Sequence, residues 1–502
     1  MLFRQVFDPV LAQYAYLIGC QRTGEALLID PERDVDRYLR IAADEGLRIT
    51  AVAETHIHAD FLSGARELAL RHGVRVYLSD EGGEGWRYSW PRPEAHDVVL
   101  LHDGDVFKVG NTRIEALHTP GHTPEHMVFR ITDEGGGADS PLGLAAGDFV
   151  FVGSVGRPDL LETAAGVVGA REPSARALYR SVLGFLEMDD HLLVWPGHGA
   201  GSACGKALGS VPESTVGYER RFNPALADAR KGEEAFVRGI LEDQPEPPLY
   251  FARMKRLNRD GPPLLPGPGE DGLPRPERLE IPEVLGRAAG GAVVVDTRSD
   301  PEAFLSGHLP GSLHAPLGRD LAEVTASYVS AETPVLLIVE SGGLEAAVRA
   351  LVKVGIDGIV GWVAPSALGE ARTELASIEA ATVDEMVQAA ARGEAEVLDV
   401  RGPDEYRAAH IPGARLAPHV RLPERAAGLP AGRRLYVHCQ TGARSVIAAS
   451  YLASLGRGVV AVGGDFGEWA AAHPDQVERG APPGAAEAGH GGTSVTAAAP
   501  AP

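Results

Sequence analysis

The sequence predicts a multidomain α/β protein on three observations: an internal repeat of about 100 residues, a proline-rich break near residue 260, and short β-branched runs alternating with helix-like stretches. At roughly 150 residues per domain, 502 residues divide into three or four units. The repeat sets the first two. Val293-Val294-Val295-Asp296-Thr297-Arg298 followed by His308-Leu309-Pro310-Gly311-Ser312 recurs as Val397-Leu398-Asp399-Val400-Arg401 followed by His410-Ile411-Pro412-Gly413-Ala414, at offsets of 103 and 102. Each copy continues with an apolar run (Val335 to Val339; Leu435 to Val437) and a helix-like stretch (Leu344 to Val354; Arg444 to Leu455), the alternation of a parallel sheet. Two homologous α/β domains are expected over 277–376 and 377–480.

Before them, residues 259–276 carry Pro262, Pro263, Pro266, Pro268, Pro274 and Pro276 among glycines and acids, which reads as an extended linker with no packed structure of its own. After them, 481–502 is an Ala, Gly, Pro and Ser tail that cannot bury a core and is expected to be disordered. Residues 1–258 form the remaining domain. Strand-like runs at Glu25 to Ile29, Ile49 to Ala53, Val74 to Leu78, Thr112 to Leu117, Met127 to Ile131 and Leu192 to Trp195 alternate with helical stretches at Val35 to Glu45 and Ser63 to His72. Gly110-Asn111 marks a hairpin between Val106 to Val109 and Thr112 to Glu115. Mixed sheets with helices outside fit this pattern.

Lys and Arg total 47 against 69 Asp and Glu, a net charge of −22, and no basic stripe gathers that could neutralise a phosphate backbone, so nucleic acid is excluded as a partner. No run approaches the ~20 apolar residues of a membrane span, and the start Met1-Leu2-Phe3-Arg4-Gln5 lacks a secretory pattern. A cytoplasmic setting is expected. Three cysteines, Cys20, Cys204 and Cys439, cannot form a disulfide framework.

Histidines and acids cluster at strand ends: Thr55-His56-Ile57-His58-Ala59-Asp60, His118-Thr119-Pro120-Gly121-His122, Gly147-Asp148, and Trp195-Pro196-Gly197-His198. Convergence of such residues at strand ends is how α/β folds build sites. Through His56-Ile57-His58-Ala59-Asp60, Gly121-His122, Gly147-Asp148 and Gly197-His198, residues 1 to 255 resemble the metallo-β-lactamase superfamily, which implies an αββα sandwich. Two-metal members follow the Asp with a second-site His, whereas Phe61 stands here, and Asp60 with His198 alone makes a poor second site. Within the superfamily the domain most resembles the persulfide dioxygenase branch. That resemblance implies one Fe(II) per chain held by His56, His122 and Asp148, two imidazoles and a carboxylate that leave positions open for a persulfide sulfur and O₂. It makes His58, Asp60 and His198 residues that orient ligands or substrate, or that simply hold the loop. Gly156-Arg157-Pro158-Asp159-Leu160 also matches the branch, with Arg157 either binding a substrate carboxylate or pairing with Asp159. Cys204, in a glycine-rich stretch beside Lys206, is either a reactive thiol or a small buried residue; Cys20 reads as core. The alternative is a glyoxalase-II-like zinc thioester hydrolase.

In the last domain, Leu435-Tyr436-Val437-His438-Cys439-Gln440-Thr441-Gly442-Ala443-Arg444-Ser445 sets Cys439 at a strand end and the loop's N–H groups at a helix N-terminus, where they favour negative charge on sulfur. With Asp399 and Arg401, Glu405-Tyr406 and His410-Ile411-Pro412-Gly413, this resembles the rhodanese family of sulfurtransferases. The resemblance implies Cys439 as persulfide carrier, Arg444 as a fixed positive charge, and Gln440, Thr441, Gly442 and Ala443 as the substrate cradle; Asp399 and Arg401 read as a structural ion pair. At an offset of 99 the middle copy has Glu340 for the cysteine and Glu345 for the arginine, so it reads as a degenerate rhodanese without a nucleophile. The order of the three domains resembles fused persulfide dioxygenase-sulfurtransferases. The implied chemistry oxidises low-molecular-weight persulfides with O₂ to sulfite and passes sulfane sulfur to or from sulfite and thiosulfate, as in sulfide detoxification; homo-oligomer formation is left open.

Overall fold

The computed structural model describes residues 1–91, 96–163, 166–369, 375–430 and 432–480. The tail 481–502 lies outside the described residues. Two compact units divide the chain, Met1–Ser377 and Ile378–Pro502. No helix among the described residues is long and apolar enough to cross a membrane.

The first unit opens with two six-stranded sheets. One runs Leu2–Asp8, Gln13–Cys20, Glu25–Ile29, Arg48–Ala53, Arg75–Ser79, Val98–Leu101 in that spatial order. The other runs Ser214–Thr215, Leu193–Pro196, Gly143–Gly147, Met127–Asp133, Thr112–His118, Val106–Val109, with Val109 paired to Thr112 across the Gly110-Asn111 hairpin. Strand Gln13–Cys20 shows why the sandwich forms: it is buried along its whole length, and alternate side chains go to opposite faces. Tyr14, Tyr16 and Ile18 join Phe129, Ile131 and Trp195 between the sheets, while Ala15 and Leu17 pack outward against Tyr38 and Leu68. Those outer residues belong to helices Asp36–Asp44 and Ala65–His72; helix Arg171–Leu186 covers the other sheet through Ala175, Leu178, Val182 and Phe185. The result is the αββα layering expected from the sequence.

The repeat is a repeat of architecture. Strands Glu277–Arg278, Ile359–Val363, Val335–Ile338, Val293–Asp296 and Leu313–His314 form one parallel sheet. Strands Glu379–Ala381, Val459–Val462, Arg434–His438, Ala395–Asp399 and Arg415–Leu416 form another in the same order. Local contacts repeat too. Arg298 pairs with Asp296 and Arg401 with Asp399, at 2.6 and 2.7 Å, and Phe304 stacks on His308 as Tyr406 does on His410. The Asp399–Arg401 pair is buried and structural.

The proline-rich segment departs from the expectation. Residues 259 and 260 end helix Phe251–Asp260, and 261–276, though without helix or strand, is packed, with Leu265 and Leu273 buried. Prolines leave such a segment unable to join a sheet ladder, and its carbonyls are taken instead by basic side chains: Arg66 donates to Pro262, Arg33 to Pro263 and Arg71 to Leu265.

Within the first unit, the middle domain docks through charge. Lys353, on helix Leu344–Lys353, is buried against Asp8, Glu32 (2.9 Å) and Asp34 (3.7 Å), and Arg37 bonds to Asp8 and Glu32. Arg349 reaches Asp36 at 2.7 Å, and Arg33 pairs with Asp357 at 2.8 Å. The Lys353 carbonyl also accepts from the Leu62 N–H at 2.7 Å, tying the middle domain to the loop that follows Asp60. Removing one member of a buried ion cluster leaves the others uncompensated, so Lys353→Met is expected to destabilise this unit by about 3–5 kcal/mol and lower its melting transition by about 5–10 °C. A calorimetric scan showing a shift below about 1 °C would contradict that reading.

Candidate functional site

Strand Arg48–Ala53 delivers Glu54, Thr55 and His56 to the sheet edge. Asp30, just beyond strand Glu25–Ile29 and at φ +50°, accepts from the Thr55 N–H and the Thr55 hydroxyl, each at 2.7 Å. Because the hydroxyl's proton is committed to Asp30, Thr55 Oγ1 can only accept at its 2.9 Å contact with His56 Nδ1. His56 therefore carries its proton on Nδ1 and presents a lone pair at Nε2, which lies 3.8 Å from Asp148 Oδ2. His122 is set the same way: Nδ1–H donates to the Arg157 carbonyl at 3.0 Å, and Nε2 lies 3.4 Å from Asp148 Oδ2. Burial holds both imidazoles well below their ordinary pKa, hence neutral, as metal ligation requires.

Asp148 follows strand Gly143–Gly147, and its N–H donates to His126 Nε2 at 3.1 Å, while His126 Nδ1 meets the Thr119 hydroxyl at 2.9 Å. Gly147 (φ +50°) allows this approach, since a Cβ there would sit 2.5 Å from Thr55 Oγ1. Both Asp148 carboxylate oxygens are buried without a hydrogen-bond partner. Burial pushes the group up to about 6. A buried carboxylate with two orphaned oxygens beside two neutral imidazoles fits a divalent cation, and the three donor atoms lie within 4.8 Å of one another. The set His56, His122 and Asp148 is thus brought together.

The other residues divide. His58 turns away: its Nε2 lies 3.2 Å from Asp30 and 3.1 Å from Glu54, and its ring packs on Phe61. Burial alone would favour its neutral form, but the two carboxylates outweigh this and raise its pKa well above the ordinary value. Asp60 and His198 meet at 3.4 Å, and His198 also lies 3.5 Å from Asp148 Oδ1. The structure adds Cys204 to this pair: Asp60, His198 and Cys204 place donor atoms within 4.8 Å of one another, a second buried group that Asp60 and His198 alone did not suggest. Cys204 is 1% exposed, and burial followed by the charges of Asp60 and Asp148 pushes its thiol well up. Lys206, expected to activate it, instead donates to the Glu242 carbonyl. The picture of an exposed, activated thiolate is therefore corrected. Cys20 is buried core, as expected.

Arg157 is also corrected. Its side chain is fully buried, with Nε and Nη2 on Asp159 (2.9 and 2.7 Å), Nη1 on the Ala203 carbonyl (3.1 Å) and Nη2 also on that of Pro245 (2.6 Å). All three nitrogens are engaged, so no fork remains for a substrate carboxylate. Residues the sequence reading passed over hold the site: Asp30 and Thr55 orient His56, His126 holds Asp148, and Asn258 donates to the His58 and Phe61 carbonyls. Only Thr55, adjoining His56, and His126, four residues past His122, carried a local signal.

In the second unit, strand Arg434–His438 ends at Cys439, and helix Ala443–Ser454 starts four residues on. Gly442 (φ +102°) turns its N–H onto Cys439 Sγ at 3.1 Å, a conformation that favours glycine. Cys439 is 3% exposed. Gln440 is held through its carbonyl by the Phe466 N–H at 2.8 Å, while Thr441 and Ala443 lie exposed on the rim. Arg444 makes a two-bonded pair with Glu405 at 2.7 and 2.8 Å, which fixes the guanidinium beside the loop and offsets part of its charge.

Register refines the comparison with the middle copy. Asp296 pairs with Ile338 as Asp399 does with His438, which makes Val339, not Glu340, the strand counterpart of Cys439. The helices begin at Leu344 and Ala443, which keeps Glu345 as counterpart of Arg444. The middle loop is one residue longer, and residues 277–376 contain no cysteine.

Residues 8–198 match the metallo-beta-lactamase superfamily and residues 382–472 the rhodanese-like domain. The persulfide dioxygenase ETHE1 of Homo sapiens is 29% identical over 230 residues, 45% of this chain and 76% of that protein. A beta-lactamase hydrolase-like protein of Xylella fastidiosa is 30% identical over 246 residues, and the chain spans about half (51%) of its length. Among solved structures, a metallo-beta-lactamase from Staphylococcus aureus is 38% identical with a TM-score of 0.64, covering 72% of this chain and 99% of that one. Coverage of that extent reaches past the sandwich. The chain belongs to the metallo-β-lactamase superfamily, with a rhodanese-like domain following at its C-terminal end.

Proposed function

We propose that the first domain oxidises a low-molecular-weight persulfide with O₂ at one Fe(II) held by His56, His122 and Asp148, and that Cys439 carries sulfane sulfur to or from sulfite and thiosulfate. One observation carries this reading: the buried pair of neutral imidazoles beside a carboxylate whose oxygens have no hydrogen-bond partner. Two histidines and one carboxylate are the donor set of non-haem Fe(II) oxygenases, and the bound ion supplies open positions for sulfur and O₂. The likeness to a protein named persulfide dioxygenase supports the same assignment.

The reaction balances as one persulfide, one O₂ and one water giving one thiol, one sulfite and two protons, with the outer sulfur losing four electrons to O₂. The chain's part is to fix the lone pairs, through Thr55 behind His56 and the Arg157 carbonyl behind His122, and to exclude bulk water from a buried site. In the rhodanese-like domain, the Cys439 thiolate attacks the outer sulfur of a persulfide, the S–S bond breaks, and the thiol leaves as its thiolate with the bonding pair. Sulfite then attacks the sulfur carried by Cys439. The S–S bond breaks with its electron pair returning to Sγ, where the Gly442 N–H stabilises the charge, and thiosulfate departs. Reversal loads Cys439 from thiosulfate with the same residues.

The Asp60, His198 and Cys204 group favours a second reading, a two-metal thioester hydrolase. Anaerobic loading with Fe(II) or Zn(II), metal counting and an oxygen electrode separate the two. One iron per chain, with O₂ uptake matched by sulfite plus thiosulfate from glutathione persulfide, is the expected result. Two zinc ions per chain with thioester hydrolysis and no O₂ uptake would overturn it.

A further inference from the structure

We propose that Glu405 sets which compounds give sulfur to Cys439: by occupying the guanidinium of Arg444 it disfavours dianionic thiosulfate against persulfides. This rests on the sulfurtransferase reading of Cys439 above. Arg444 Nη1 and Nη2 donate to Glu405 Oε2 and Oε1 at 2.8 and 2.7 Å, and Oε2 also accepts from the Gly402 N–H at 3.0 Å, at the start of helix Pro403–Ala408. The two side chains are 29% and 36% exposed, so a solute approaching the loop meets the pair. Against the opposing effect of burial, Glu405 holds the Arg444 pKa above its ordinary value and the charge of Cys439 adds to the rise, so guanidinium and sulfur act on one another.

The two copies show that the pair is not needed to build the domain. Tyr406 stacks on His410 as Phe304 does on His308, an offset of 102 that puts Ala303 at the position of Glu405, while Glu345 stands for Arg444. The middle domain forms the same sheet order with neither member. Glu405 and Arg444 thus occur in the copy that has the cysteine. Arg401, which reaches Gln440 Oε1 at 3.4 Å, is likewise engaged, by buried Asp399 at 2.7 Å. Cys439 is left with the Gly442 N–H and a helix N-terminus, beside guanidinium groups that are each matched by a carboxylate. In loading from thiosulfate, the thiolate attacks the outer sulfur, the S–S bond breaks, and sulfite leaves with the bonding pair. That donor brings two negative charges to the loop, whereas the reacting sulfurs of a persulfide bring at most one. The Glu405 carboxylate therefore weighs more heavily on thiosulfate.

The test uses the full chain under nitrogen, so that oxidation consumes no persulfide. It reads the second-order rate of loading from thiosulfate and from glutathione persulfide, by mass spectrometry, as one sulfur added to the Cys439 peptide. In Glu405→Gln, whose carboxamide oxygen can still accept from Gly402, the thiosulfate-to-persulfide ratio of rates is expected to rise about fivefold, and the rise to shrink at high salt. A change in the thiolate population of Cys439 cancels in that ratio. Glu405→Ala, the residue type that the middle copy carries there, is expected to raise it as well, and Arg444→Gln to lower it. Opposite shifts from the two members of the pair are not what loss of loop packing would give. A ratio that is unchanged or lowered in both Glu405 variants overturns the inference, including the case where both rates fall together, and so does a rise that salt leaves untouched. If the parent chain loads from neither donor, the sulfurtransferase reading fails and the inference falls with it; a parent that loads while the ratio stays put fails the inference alone.

Discussion

In His122→Ala, bound iron is expected to fall from one per chain to near none, and persulfide-dependent O₂ uptake to fall by well over the ~10–100-fold that loss of a ligand's supporting partner costs. The imidazole is one of three donors, and neighbouring His126 cannot replace it, since its Nε2 already accepts from the Asp148 N–H. Its loss also leaves Asp148, pushed up to about 6 by burial, with one fewer imidazole against its orphaned oxygens. Metal analysis and an oxygen electrode read the effect, sulfurtransferase activity of the other compact unit in the same sample controls for the amount of chain, and a calorimetric scan controls for folding of the first unit. Retention of one iron per chain would move the ligand set elsewhere, with Asp60, His198 and Cys204 the next group to test.

Cys439→Ser is expected to lower thiosulfate formation by more than about a thousandfold while O₂ uptake persists, so that sulfite becomes the end product. The serine oxygen would still meet the Gly442 N–H, so the loop is preserved and only the chemistry is lost. A hydroxyl is a far weaker nucleophile than a thiolate and cannot carry the outer sulfur as a persulfide. Ion chromatography of the products is the measurement. Thiosulfate formed by the variant at the parent rate would remove Cys439 from the reaction. The outcome also bears on the middle copy. With Val339 at the strand position of Cys439, that domain has nothing to substitute, and its contribution is expected through Lys353 instead.

Much of the sandwich was legible because its signals are local. Alternating burial along Thr112–His118 has period two whatever the strand packs on, and Gly110-Asn111 turns a hairpin on backbone preference alone. Strand Gln13–Cys20 was passed over for the opposite reason: it is buried on both faces, so no alternation marks it. The linker misled because proline content reports what a segment cannot form by itself, and Arg33, Arg66 and Arg71, distant in sequence, supply its packing.

The same division runs through the site. Residue types and strand-end turns in the sequence sufficed to gather His56, His122, Asp148 and Cys439 as candidates, because ligand and nucleophile chemistry belongs to the side chain and the turn that carries it. Which donors are spent, and which are free, was decided only by tertiary structure. Arg157 is silenced by carbonyls of Ala203 and Pro245, 46 and 88 residues away. His58 is drawn off by Asp30, and Cys204 is brought to His198 across a glycine-rich loop. Saturation of a polar group depends on every atom folded against it, and that neighbourhood is set by long-range packing that no local pattern encodes.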